Sequence, residues 1–318
     1  VNKKQFTLHH SPFTIFLKGG FFQMIVNQAN LQAMYKSFKV IFNQAFEGAP
    51  SMCDLVAMRC PSTSKEQGYP WLADFPMMKE WIGDRVIKDL SAFDFTIKNK
   101  SYEATIGVDR DDIDDDNIGL YTPMIQGLAQ AAKEHPDILV FALLKLAFTS
   151  KCYDNQYYCD TDHPWGPDGA VVSNSGGGSG APWFLMDLRR AIKPIILQVR
   201  KTPEFVAMDK PDNEQVFMRK KYMYGVDDRK NVGFGLWQLC YGSKQTLDAT
   251  SYAAARAAMM SFTREDGVTP LGVIPTHLVH GPTLESAAKT AIDAANQAGG
   301  ASNIWYNTVK TVNVPWLA

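Results

Sequence analysis

The sequence predicts an α+β fold built from four successive parts: an amphipathic arm, an extended loop, one unusually long helix and a mixed α/β region. Two observations carry most of this. Across residues 93–108 apolar side chains alternate with polar ones, Phe93, Phe95 and Ile97 first, then Tyr102, Ala104, Ile106 and Val108 on the opposite parity. A period of two marks half-buried strand, and the change of parity calls for a turn or bulge near residues 98–101, because one extra residue flips every later side chain across the sheet. The second observation is a helical stripe over residues 123–149, with Ile125, Leu128, Ala129 and Ala132 followed by an apolar run to Phe148. If continuous it is roughly 40 Å long.

The elements follow in order. Residues 1–23 carry scattered aromatics and an apolar block, Phe13 to Leu17, too short for a secretory signal. They are expected to be translated leader from a mis-called start at Val1, with Met24 opening the mature chain. Residues 27–46 have Leu31, Met34, Tyr35, Phe38, Ile41 and Phe42 at three-to-four spacing, an amphipathic helix ended by Gly48-Ala49-Pro50. A strand-like patch at 55–58 and a Ser/Thr loop at 61–68 lead into the extended loop, which is read as a hairpin-like arm that must find its apolar partner outside itself. Thr122-Pro123 supplies a capping hydroxyl and a proline for the long helix, and Pro136 is expected to restart or kink it. SNSGGGSGAP at 173–182 is expected to be a loop without structure of its own. Strands are expected within 183–206, 217–241 and 309–314. Alanine-rich helices are expected at 248–262 and 283–298, the second closed by Gly299-Gly300.

Composition narrows the function. The chain has 318 residues, 46% hydrophobic and 20% charged, which suits a folded domain with a sizeable core. A net charge of −1 argues against gripping nucleic acid through a broad basic surface. Five cysteines in a chain this long point to reduced thiols rather than a disulfide framework. No apolar run reaches the ~20 residues of a membrane helix.

Chemical motifs are sparse. The acidic run DRDDIDDDN fails as an EF-hand, since the places for Gly and Glu hold Asn117 and Pro123. It reads instead as an acidic turn capping the long helix. Cys152, Cys159 and His163, with Asp162 nearby, suggest a metal-assisted hydrolase as the alternative reading. Their spacing, however, lacks the paired clusters of structural zinc sites, and no metal or other cofactor is expected. P-loop, dinucleotide and nucleophile-elbow patterns all fail. Trp71, Phe75 and Trp81 along the arm fit anchors of a subunit contact, with Arg85, Arg110 and Asp112 as its charged members.

YPWLADFPMMKEWIGDRVIKDL, TIKNKSYEATIGVDRDDIDDDNIGLYTPM and FTSKCYDNQYYCDTDHP resemble the major head subunit of Mu-like phages and prophages. WFLMDLRRAIKPIILQVRKTPEFVAM, YGVDDRKNVGFGLWQLCYGSK, YAAARAAMMSF and the terminal VPWLA agree, so the resemblance runs from about Ile25 to the C-terminus. It implies an HK97-like (Hong Kong 97 type) major capsid fold: N-terminal arm at 24–51, E-loop at 52–115, P domain at 116–235 with its spine helix at 123–149, and A domain at 236–318. It also implies a non-enzymatic coat protein whose hexamers and pentamers form an icosahedral virion shell around double-stranded DNA, without sequence-specific binding. Implied partners are further copies of itself, a scaffold and protease, a portal and a decoration protein, with assembly in the bacterial host cytoplasm and no membrane. Lys79 and Lys88 lie on the arm, but no matched Asn-and-acid pattern predicts a crosslink.

Overall fold

A computed structural model describes residues 27–73, 95–115, 118–166, 169–210, 214–297 and 299–318. The reading of residues 1–23 falls outside them. Helix α1, Gln28–Gly48, begins where the Asn27 side chain accepts the Asn30 N–H at 2.9 Å, and it buries Leu31, Met34, Phe38 and Phe42 on one stripe. Helix α2, Cys53–Val56, runs straight into strand β1, Ala57–Pro61. Strand β2 is Glu66–Gly68, and a single 3-10 turn, Pro70–Ala73, follows.

Strands β3, Thr96–Lys98, and β4, Lys100–Asp109, carry the predicted alternation. The parity does switch between them, at the buried Asn99, whose amide donates to Ser62 Oγ (3.0 Å) and the Ser64 carbonyl (2.9 Å). The two strands are not each other's hairpin partners, which corrects the sequence reading. β3 pairs with β2, whereas β4 pairs along its whole length with a later strand of the same chain. Ile106 and Val108 are therefore buried against their own subunit. Local alternation reveals a strand but not its partner.

Helix α3, Arg110–Asp114, is capped by Asp109, and a 3-10 turn, Ile118–Tyr121, leads to α4, Thr122–Lys145. Among the described residues no side chain of the acidic run caps α4, nor does the Thr122 hydroxyl: the helix starts one residue early, after Tyr121, and the Asp112 carboxylate is taken by the Tyr121 hydroxyl. Pro136 sits inside an unbroken helix of 24 residues, about 36 Å long.

The remainder runs β5 (His163–Pro164), β6 (Val171–Val172), β7 (Ser175–Gly178), β8 (Trp183–Met186), β9 (Ile195–Met208), α5 (Glu214–Arg219), β10 (Lys221–Phe234), β11 (Cys240–Lys244), α6 (Ala249–Met260), β12 (His277–His280), α7 (Glu285–Ala288) and β13 (Lys310–Asn313). The glycine-rich stretch is not structureless: β7 pairs in parallel with β11. The second alanine-rich helix stops at Asp293, where α7 ends in a π-turn and the Asn303 amide takes the carbonyls of Ala291 and Ala294.

Among the described residues there are two larger sheets, ordered β1-β9-β10-β4 and β13-β12-β8-β11-β7, beside the two-stranded pairs β2-β3 and β5-β6. The described residues form two apolar cores as well. One gathers Phe38, Phe42, Ile125, Phe205, Tyr222 and Tyr224; the other gathers Phe141, Leu144, Trp183, Ile196, Phe234 and Trp237. α4, β9 and β10 each contribute to both cores, so they run through the molecule like rails. Between the cores the rails turn polar. Lys230 and Asp228 form a buried pair at 2.5 Å, and His135 meets the Tyr102 ring edge-on at 4.3 Å. The β9–β10 register slips at Asp227/Arg229 and again at Arg229/Lys230. A cavity of about 230 Å³, lined by Arg59, Lys133, Pro136 and Lys201 among others, opens at the same level.

Candidate functional site

Two regions compete for the name, an apolar end of the first sheet and a polar cluster beside the second core. The sheet end is built where β4 finishes and β10 begins, Asp109 opposite Lys221. The Arg110 N–H donates to the Lys220 carbonyl (2.9 Å), and Lys220 Nζ stands 3.5 Å from the Asp111 carboxylate, so α3 and α5 are tied to one another. The Asp109 N–H donates to the Tyr121 hydroxyl, which brings the start of α4 to the same place. These segments expose large apolar side chains: Phe217 is 85% exposed, Met218 70% and Leu120 69%, with Met124 and Met208 about half exposed. Scattered exposed apolar residues are ordinary, but a concentration at one end makes this a candidate contact surface.

Of the predicted contact residues, Arg110 and Asp112 belong to this end. Arg110 is exposed, with its guanidinium 3.8 Å from Asp114. Asp112 is half-buried and engaged by Tyr121. Trp71 lies elsewhere, half-buried against the second core and edge-on to Tyr69 at 6.1 Å. Phe75, Trp81 and Arg85 lie outside the described residues. Sequence reasoning missed Phe217 and Met218. Two adjacent bulky apolar residues in the charged run EQVFMRKK were the available signal.

The polar cluster brings together Cys152, Asp154 and His163, whose ligand atoms all lie within 4.8 Å of one another. It omits two residues expected there. Cys159 is buried near Gly242, and Asp162 is exposed. His163 is fully buried and stacks on Trp237 at 4.1 Å. Its Nδ1 is 2.6 Å from Asp154 Oδ2 and its Nε2 3.1 Å from Asn174 Oδ1, while the Cys152 thiol donates to Asp154 Oδ1 at 2.9 Å. Burial pushes the Cys152 thiol up. Burial also opposes the Asp154 carboxylate, but the His163 and Cys152 donors outweigh it and hold that carboxyl below its usual range. The polar side-chain atoms of Cys152, Asp154 and His163 all find partners within the chain, an arrangement that welds the loop.

The Mu-like prophage major head subunit gpT family model matches residues 31–317. The chain belongs to that family. The major capsid protein of Escherichia phage Mu is 37% identical over 290 residues, covering 88% of this chain and 95% of that protein. The Mu-like prophage FluMu major head subunit of Haemophilus influenzae is 38% identical over 273 residues, covering 83% and 88%. Among solved structures, the procapsid of bacteriophage JBD30 superposes with a TM-score of 0.83 at 42% identity, covering 92% of this chain and 100% of that one. The Mu-like head subunit therefore has the HK97-like capsid fold and is a structural coat protein, not an enzyme. These relatives lend no support to the hydrolase reading, and its four residues are in any case not assembled. The family's work is to build a shell from copies of itself, and that directs attention to the apolar sheet end.

Proposed function

We propose that this head subunit forms hexamers and pentamers that close into an icosahedral shell around double-stranded DNA, assembled in the host cytoplasm. The single observation that carries this is the likeness to a procapsid subunit over that subunit's whole length. In this reading residues 24–51 are the N-terminal arm, 52–115 the E-loop region, 116–235 the P domain and 236–318 the A domain. In the same reading Phe75, Trp81 and Arg85 on the E-loop side reach a neighbouring copy, with the part of Trp71 left outside its own core beside them. Arg110, Asp112 and the exposed Phe217 and Met218 belong to a second contact at the sheet end. Each contact is modest, and repetition around a closed shell multiplies them.

A chain of net charge −1 suits enclosure of DNA without holding it, since tight binding needs many cationic contacts to phosphate. The JBD30 capsid is decorated with minor capsid protein trimers, which supports a decoration partner here; a scaffold, a protease and a portal complete the expected set. Negative-stain electron microscopy of the protein expressed from Met24 tests the reading. Capsomers or closed shells are the expected result, and a strictly monomeric species under all solution conditions overturns it.

A further inference from the structure

We propose that Cys152, Asp154 and His163 form a structural site for a divalent transition metal, zinc by ligand preference, that fastens the loop between α4 and β7. The argument rests on Asn174. Its Nδ2 donates to the carbonyls of Tyr158 (2.8 Å) and Cys240 (3.1 Å), and its Oδ1 accepts the Asp160 N–H (2.9 Å). Two carbonyls on one side and an N–H on the other fix which way the amide points. Its oxygen therefore faces His163 Nε2, and that nitrogen must carry a proton. Metal-bound histidines characteristically donate the non-ligating N–H to an oxygen of this kind, which sets the tautomer and the ring direction.

The remaining nitrogen, Nδ1, points at the Asp154 carboxylate, which in turn receives the Cys152 thiol. Thiolate, imidazole and carboxylate together are a zinc-type donor set. Trp237 stacked on the ring holds the imidazole in place.

The exchange balances. The metal-free cluster holds one proton on Cys152 Sγ and one shared between His163 Nδ1 and Asp154. Binding M²⁺ to Sγ, Nδ1 and an Asp154 oxygen releases both, leaving thiolate, neutral imidazole and carboxylate around the ion, as expected when metal binding is coupled to proton release. Sequence spacing did not point here, because Asp154 takes the place that the pattern gave to Cys159.

The test uses the full chain, stripped with a chelator and then titrated with Co²⁺ or Zn²⁺ alone. The expected result is about one equivalent of Co²⁺ bound with a thiolate charge-transfer band. That band is lost in Cys152→Ser and His163→Ala and kept in Cys159→Ser and Asp162→Asn. Because His163→Ala removes a buried ring and can abolish folding, a second measurement uses the unaltered protein. Zn²⁺ is expected to slow alkylation of Cys152 at least tenfold, read by peptide mass spectrometry, while leaving the rate at the partly exposed Cys60 unchanged. No bound metal after dialysis, a band that survives Cys152→Ser, or equal alkylation of Cys152 with and without Zn²⁺ overturns the proposal.

Discussion

Single residues in this fold are set by how closely backbones approach and by how buried charges are paired. Gly178 has φ +94°, and a Cβ there would stand 2.4 Å from the Lys244 backbone; neighbouring Gly177, at φ +66°, faces open space. Both pay the left-handed penalty on substitution, but only one also collides. Gly177→Ala is expected to lower stability by about 1 kcal/mol, and Gly178→Ala by ~3 kcal/mol or more, in urea unfolding of the unassembled subunit. Equal effects would mean that β7 does not pack on β11. Asp187 shows the charge side. It is fully buried, which raises its pKa, yet the Arg189 guanidinium (2.8 and 2.9 Å) and the N–H groups of Ile274 and Arg189 outweigh burial and hold it below the usual carboxylate range. Arg190 stands 3.7 Å away. A depressed folded-state pKa means that the stabilisation is present above the unfolded value, about 3.9, and is lost as pH falls through the lower folded value. Unfolding midpoints measured from pH 5 downward should fall more steeply for the natural protein than for Asp187→Asn.

Among the elements, α1 is held by its stripe of large side chains. Phe38 meets Tyr224 edge-on at 5.3 Å, and Phe42 stacks on Phe205 at 5.1 Å. Phe38→Ala is expected to cost about 3–5 kcal/mol, with faster hydrogen exchange concentrated in α1 and the facing β10. An unchanged midpoint would show that α1 is not docked in solution. This helix was readable in the sequence because its period of 3.6 and its closing Gly48-Ala49-Pro50 are local signals. The long helix and the alternation of β4 were readable for the same reason. The partner of β4 was not, since a strand's alternation is the same whichever chain it pairs with, and its true mate is more than a hundred residues away. SNSGGGSGAP misled for a different reason. Its glycines look like slack, whereas Gly178 is required by close contact with Lys244. At the candidate surface, Arg110 and Asp112 were placed by charge and position alone. Phe217 and Met218 went unnoticed because a short helix between two long strands leaves no periodic trace.

For the whole molecule, the exposed apolar end of the first sheet should matter to assembly and not to folding. Phe217→Asp touches a side chain 85% exposed, so its thermal midpoint should move by no more than a degree or two while the yield of shells, read by sedimentation, falls severalfold. Wild-type yield would remove this end from the contact surface. The rails shared by the two cores lead further. A girder that is apolar and closely packed at both ends but polar, charged and slipped in register at mid-span is not expected to flex evenly. Bending is expected at that mid-span, around Asp228, Lys230 and His135, where a polar pair and a slipped register stand between the two apolar cores. A closed shell sets identical chains at places of unequal curvature. A bend confined to the mid-span would let the subunit meet them by changing one angle, an expectation that hydrogen exchange tests. Hydrogen exchange in assembled shells should then be fastest at residues 227–231 within β10, and uniform protection along that strand would show that it bends nowhere in particular.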